Sequence, residues 1–445
     1  MRKAPIPKAS TGLFNCSAGE TPALPASRGS KQLLVKVSSR KVNGSRRLAG
    51  LCRLEQKCSI GRDPGIPGLG GPIDCLLQSR CTKEEKGPVM DRAEILGWLC
   101  EMEEGNLEEL WKRADSVRRA MVGDEVHLRG LIEISNYCVR QCRYCGINAC
   151  SSGITRYRMT REEIIGAAGE AARFGYGSVV MQSGEDPGLT KDFVSGLIRE
   201  IKDTTELAIT LSFGERSDDE LRAWKKAGAD RYLLRFETSD PVLYDRIHPS
   251  LPGKLSNRFA QLERMRDMGY EIGTGVMVGI PGQSWETLAQ DVDTFRYYDM
   301  DMIGVGPFLP SPHTLLGGHG ASDFYLEPGR QVPNDELTTL KVVALTRLVC
   351  PEANIPSTTA LATIDPASGR ELGLSRGANV VMPNVTPPQY RVLYEIYPGK
   401  ACIHETALVC RDCLERRIAS IGRILGKGPG GRKNSGQPPA PPMLP

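Results

Sequence analysis

The sequence predicts an α/β protein folded as a (β/α)8 TIM-type barrel, on three observations. Eight short apolar runs lie between residues 126 and 382, most of them separated by stretches with helical periodicity. Alternation of this kind produces parallel strands joined by crossover helices, and eight such units over roughly 250 residues match the size of a (β/α)8 barrel. No G-x-G-x-x-G follows the first run, which disfavours the competing doubly wound open sheet.

Two helices precede the barrel, over residues 91–99 (DRAEILGWL) and 106–121, where apolar side chains recur at helical spacing. The first strand spans 126–134 (VHLRGLIEI). A helix over 161–174 follows, with Thr160 as its N-cap and Glu163 completing a capping box. The second strand is 178–182 (SVVMQ), the next helix 192–203, the third strand 207–212, then a helix over 218–227. The fourth strand, 231–235 (RYLLR), leads to a helix over 258–268, a fifth strand over 271–278 and a helix over 284–297. The sixth strand is 301–306, followed by a helix over 335–350; the seventh and eighth are 355–359 and 378–382. The chain thus divides into an arm (1–89), N-terminal helices (90–125), the barrel (126–385), a C-terminal extension (386–425) and a flexible Gly/Pro-rich tail (426–445).

Composition narrows the class. Hydrophobic residues make up 40% and charged residues 25%, as in a globular protein. No run approaches the ~20 apolar residues of a membrane span, and a net charge of +4 gives no footprint for nucleic acid. Charge is uneven: residues 1–83 hold 15 Lys+Arg against 4 Asp+Glu, and the remainder is acidic by seven charges. The basic arm reads as an organellar transit peptide or as the product of an upstream start ahead of Met90.

Fourteen cysteines are many for such a chain, and no apolar secretory segment precedes them. Five are scattered through the arm without ligand spacing, whereas two groups are tight. Cys138, Cys142 and Cys145 form C-x3-C-x2-C directly after the first strand, at the end of the barrel where active sites form. Three thiolates there can hold one inorganic centre. Cys150 is available as a fourth ligand, for a zinc or complete four-cysteine site. Without it, a 4Fe-4S cluster keeps one iron open to a ligand, which is a catalytic arrangement. Cys402, Cys410 and Cys413 form a second group, with His404 as a further donor. His313 and His319, in a Gly/Pro-rich loop, read as solvated.

Cys138, Cys142, Tyr144 and Cys145 resemble the signature of radical S-adenosylmethionine (SAM) enzymes. That resemblance implies a 4Fe-4S cluster whose open iron is chelated by SAM, and reductive cleavage of SAM to methionine and a 5′-deoxyadenosyl radical. Further motifs narrow it: RYRMT (156–160), QSGEDP (182–187), LSFGE (211–215), AGADRYLLRFET (227–238), VGIPGQ (278–283), GVGPFLPSPHTLL (304–316), IPSTTALAT (355–363) and RGANVVMPN (376–384). Together they are similar to the HydE family, radical SAM maturases of the FeFe-hydrogenase H-cluster, from about Met90 to about residue 425.

The resemblance implies roles by position. Gly184 and Glu185 meet the SAM amino group; Ser212 and Glu237 meet its ribose and amino group. Arg235 and Arg258 pair with the SAM carboxylate or an acidic substrate, and Met277 leans on the adenine. Thr358, Thr359 and Tyr397 line the substrate cavity. Cys402, Cys410 and Cys413 hold an accessory 2Fe-2S or 4Fe-4S cluster. No catalytic residue is implied beyond the cluster and the SAM site. The implied substrate is an iron carbonyl/cyanide–cysteine precursor made by HydG, with HydF as the receiving scaffold and a ferredoxin or flavodoxin as electron donor. An oxygen-labile cluster implies an anaerobic cytoplasm, or an organelle if the arm is a transit peptide. Two rivals remain: another radical SAM reaction, of the biotin synthase or methylornithine synthase type, and a non-catalytic iron–sulfur carrier.

Overall fold

The computed structural model describes residues 90–403 and 405–432. The arm and its cysteines, His404 and the tail beyond residue 432 lie outside the described residues.

Seven parallel strands form the sheet: β1 (Glu125–Ser135), β2 (Ser178–Ser183), β3 (Ala208–Ser212), β4 (Arg231–Leu233), β5 (Glu271–Val278), β6 (Met302–Pro307) and β7 (Val380–Val381), in the order β6-β5-β4-β3-β2-β1-β7. The ring closes between β6 and β7 through single bridges: Asn354 pairs with Met302, Ser357 with Val305, and Pro356 with Val380. The seventh strand expected at 355–359 is therefore a bridged segment ending at Ser357. It stops there because the Thr358 hydroxyl accepts from Leu361 N and starts a helix instead. A further pair of residues, β8 (Ile424–Leu425), adds to the start of β1.

The helices before β7 are α1 (Arg92–Cys100), α2 (Glu104–Val122), α3 (Arg161–Arg173), α4 (Lys191–Thr204), α5 (Asp218–Ala227), α6 (Pro241–Ile247), α7 (Arg258–Asp267), α8 (Trp285–Tyr297), α9 (Glu336–Val349), α10 (Thr359–Ile364) and α11 (Gly369–Ser375). α12 (Pro388–Arg391) and α13 (Ala407–Ser420) belong to the C-terminal extension. Local chemistry sets their starts. Thr160 and Glu163 form the capping box of α3, and Ser217 and Glu220 that of α5. Short α6, absent from the sequence reading, begins on Asp240 with Pro241 in its first turn. Strand residues such as Val179, Ile209 and Ile272 pack fully buried against Leu197, Trp224 and Val292 of the helices. Each such side chain contributes about 1.5–3 kcal/mol. Among the described residues no helix is long and apolar enough to cross a membrane.

The end of the barrel away from the cysteine loop holds a correction. Residues 426–432, expected to be loose, are bonded across the N-terminal ends of the strands. Pro429 O accepts from Ser178 Oγ at 2.8 Å and from Arg231 Nη2 at 3.0 Å, and Gly430 O accepts from Arg129 Nη2 at 2.9 Å. Arg432 pairs with Asp299 (2.8 Å), Asp301 (3.2 Å) and Glu352 (3.2 Å). Two buried guanidinium groups need acceptors, and a Gly/Pro segment offers bare carbonyls to them.

Candidate active site

A cavity of about 310 Å3 lies at the C-terminal ends of the strands. It is lined by Cys138, Cys142 and Cys145, by Gly184, Glu185, Ser212, Arg235, Glu237, Arg258 and Met277, and by Thr358, Thr359 and Tyr397. Residues separated by up to 259 positions, from Cys138 to Tyr397, thus face one space because they lie at or beyond the C-terminal ends of strands of the same barrel.

The cysteine loop is fastened on several sides. Arg143 N donates to Ile247 O (2.8 Å), Leu316 N to Arg143 O (2.9 Å) and Gly146 N to Ile396 O (2.8 Å). Tyr144 packs against a small apolar cluster of Leu243, Ile247, Ile280, Phe308, Leu316 and Phe324, which gives the aromatic before the third cysteine its place. Arg156 of RYRMT donates to Ile147 O at 2.7 Å and Asn148 O at 2.6 Å. Arg158 forks onto Asp186 of QSGEDP at 2.7 and 2.9 Å. Gly184 must be glycine, since a Cβ there would lie 2.2 Å from Tyr137 O and 2.7 Å from the Cys138 Cβ. That closeness lets Glu185 N donate to Cys138 Sγ at 3.3 Å.

The thiols fit an iron–sulfur cluster. Burial pushes the Cys142 thiol well up, and Cys145 and Cys138 add to this; Cys145 is pushed up to about 12 by burial and then by Cys138. With Cys142 buried and Cys138 and Cys145 half-buried on one cavity, the three thiols would give up their protons together only to a cationic metal centre. Cys150 is exposed and does not line the cavity, so the loop places three thiols there.

Charged side chains around the cavity form three groups. Arg235 and Glu237 pair along one strand end, Nε to Oε1 at 3.0 Å and Nη2 to Oε2 at 3.0 Å, while Arg235 Nη2 also donates to Val276 O at 2.7 Å. The second group joins Glu185 and Arg258 to Arg140, Glu215 and His248, which were not singled out in the sequence. Arg140, inside the cysteine loop, pairs with Glu185 (2.9 Å) and Glu215 (2.8 Å). Arg258 opens α7 but is buried, pairing with Glu215 at 3.2 Å and donating to Arg235 O. Its Nη2 lies 2.6 Å from His248 Nε2. A guanidinium cannot accept, so that nitrogen accepts and the imidazole proton sits on Nδ1. Burial, then Arg258 and Arg140, hold His248 down to about 2, so the ring is neutral. Burial raises the Glu215 carboxyl, but Arg258, Ser256 and Arg140 outweigh it and hold it below the usual range. Deeper in the cavity wall, buried Glu133 pairs with Lys400 and accepts from Asn384 Nδ2 at 2.9 Å. Lys400 and Tyr394 line the cavity beside Tyr397 and were also missed.

Thr358 lines the cavity, and its hydroxyl donates to Val305 O at 3.1 Å and caps α10. Cys402, Cys410 and Cys413 lie off the cavity. A hydrogen bond from the Cys410 thiol holds Cys402 below the usual thiol range, with Arg370 Nη2 3.7 Å from its sulfur.

A parallel barrel with three cysteines in its first loop and a polar ring at its strand ends defines a radical SAM protein, and residues 132–295 match the Radical SAM superfamily. The [FeFe] hydrogenase maturase subunit HydE of Thermotoga maritima is 46% identical over 326 residues, covering 73% of this chain and 89% of that protein. The 3-methylornithine synthase of Methanosarcina acetivorans is 30% identical over 344 residues, covering 76% of this chain and 87% of that one. A crystal structure of methylornithine synthase superposes with a TM-score of 0.65 at 26% identity, covering 77% of this chain and 95% of that one. The chain belongs to the HydE family of radical SAM enzymes. Membership implies a 4Fe-4S cluster and SAM.

Proposed function

We propose that this chain is a maturase of the FeFe-hydrogenase H-cluster. It cleaves SAM reductively, and the resulting 5′-deoxyadenosyl radical acts on an iron carbonyl/cyanide–cysteine precursor supplied by HydG, with the product passed toward HydF. The observation that carries this reading is the single cavity shared by the three cysteines, the strand-end polar residues and Tyr397, in a chain 46% identical to a HydE.

When bound by Cys138, Cys142 and Cys145, the 4Fe-4S cluster supplies an open iron for SAM and the electron that breaks its sulfur–carbon bond. The chain's own residues place and enclose the reactants. Glu237 accepts from ribose hydroxyls and the amino group, with Ser212 beside it, and Gly184 and Glu185 offer backbone groups to the amino end. Arg258, held by Glu215, presents its guanidinium to the SAM carboxylate. Arg235, tied to Glu237 and Val276 O, faces the anionic substrate. Leu131, Leu233, Phe308 and Met382 supply apolar wall, which excludes water from a radical. Thr358, Thr359 and Tyr397 line the substrate end. Cys402, Cys410 and Cys413 hold an accessory cluster, supported by the contact between the first two thiols and a neighbouring arginine. A ferredoxin or flavodoxin delivers the electron in an anaerobic cytoplasm, or in an organelle if the arm directs it there.

The test is anaerobic. The protein is reconstituted with iron and sulfide, given SAM and dithionite, and assayed for 5′-deoxyadenosine with and without the product of a working HydG reaction. Stimulation by that product, or its consumption, supports the maturase. SAM cleavage indifferent to it moves the substrate to another radical SAM reaction, and a cluster that leaves SAM intact restores the carrier.

A further inference from the structure

We infer that Asp291, a buried carboxylate on α8 outside the cavity, is a positioning residue for SAM, acting through Glu237. This rests on the reading that Glu237 meets SAM. Glu237 has a positive φ of 64° without being glycine, and Thr238 N donates to Phe236 O across it at 2.8 Å, a tight three-residue turn. Such backbone strain persists only where surrounding contacts over-determine it. On one side β5 supplies them: Glu237 N donates to Gly275 O at 2.9 Å and Met277 N to Glu237 O at 3.2 Å.

On the other side stands Asp291, with no exposed surface. Its Oδ1 accepts from Ser239 N and Ser239 Oγ, both at 2.6 Å, and from Thr238 Oγ1 at 3.3 Å. Its Oδ2 accepts from Gln283 Nε2 at 3.0 Å. Gln283, equally buried, also donates to Met277 O at 3.1 Å and accepts from Gly279 N at 2.7 Å. One carboxylate therefore ties the two residues after Glu237 to the end of β5 that carries Met277. It touches neither the cavity nor the cluster loop. Its four donors give it the bonding of an anion, although burial raises its pKa to about 7.

Asp291→Asn keeps the shape but sets an amide donor against the Gln283 donor, severing the link to β5. Ser239→Ala removes one donor and leaves the carboxylate. The readouts are SAM affinity, from titration of the EPR signal of the reduced cluster, turnover at saturating SAM, and thermal melting of the cluster-free protein. Asp291→Asn is expected to weaken SAM about tenfold and Ser239→Ala about threefold. Glu237→Gln should also weaken SAM, and Asp291→Asn added to it should then change affinity by less than about twofold, since both act on one contact. Equal weakening by Asp291→Asn in the two backgrounds, or wild-type affinity in folded Asp291→Asn, overturns the proposal. If Asp291→Asn does not fold, Ser239→Ala with and without Glu237→Gln decides in the same way. Wild-type affinity in Glu237→Gln overturns the site reading itself, and the proposal with it.

Discussion

Glu215 holds two arginines at once, and replacing it by glutamine measures that tie. It is 7% exposed, 2.8 Å from Arg140 and 3.2 Å from Arg258, with Ser256 Oγ donating to it. Removing one partner of a buried ion pair costs about 3–5 kcal/mol. Arg140 keeps Glu185 at 2.9 Å, and Arg258 keeps Arg235 O and His248. The lower end, about 3 kcal/mol, is therefore expected. With an unfolding entropy of about 2.1 cal/mol/K per residue over the 90–432 body, Tm should fall by about 4 °C. The sign of the pH dependence follows from the pKa. The Glu215 carboxyl is held below its ordinary 4.5 in the folded state. Its contribution is present above that value and lost as pH falls through the folded pKa. The gap between wild type and Glu215→Gln should be full near neutral pH and shrink below about pH 4.5. Thermal unfolding of the cluster-free, reduced protein followed by circular dichroism reads both. A Tm within about 1 °C of wild type near neutral pH, or a gap that widens in acid, would refute the reasoning.

Three further outcomes follow from the same geometry. Lys400→Ala leaves Glu133, 1% exposed, with Asn384 as its remaining side-chain partner, and should lower stability by about 3 kcal/mol or more in a denaturant titration. Gly184→Ala pushes Cys138 out of place, because its Cβ would sit 2.7 Å from the Cys138 Cβ; iron and sulfide incorporated on reconstitution should drop well below wild type in protein that still folds. Ending the chain after Leu425 removes the carbonyl acceptors of Arg129 and Arg231 and all three ion pairs of Arg432. Arg129 is already lowered to about 9 by burial and by Arg231. Losing these acceptors should cost about 2–3 kcal/mol, seen as a lower Tm.

The barrel was legible because buried parallel strands print continuous apolar runs and the helices between them print caps. The seventh strand was misread at its end, since Ser-Thr-Thr suits a β-branched strand and a capped helix equally; only the Thr358 bond to Leu361 N separates them. The segment 426–432 reads as loose because most of its contacts are made by backbone carbonyls, which leave no side-chain pattern, and the partners of its one ion-pairing residue, Arg432, lie 80 or more residues away. In the site, C-x3-C-x2-C carries its own spacing, and Arg235 and Glu237 lie two residues apart just beyond the end of β4. Arg140, Glu215, Glu133 and Lys400 carry no such local mark. Their partners lie across the barrel, as with Lys400 and Glu133, 267 residues apart. Arg140 and Glu215 did sit inside recognised motifs, and charged residues flanking a cofactor loop were the signal that went unused.

The central claim is that SAM is cleaved in this cavity, on a cluster held by Cys138, Cys142 and Cys145. Its most direct test compares wild type with Cys142→Ala, both reconstituted anaerobically and given SAM and dithionite, by chromatography of 5′-deoxyadenosine. The account predicts product from wild type and none above background from Cys142→Ala. Product from Cys142→Ala at the wild-type rate would contradict it.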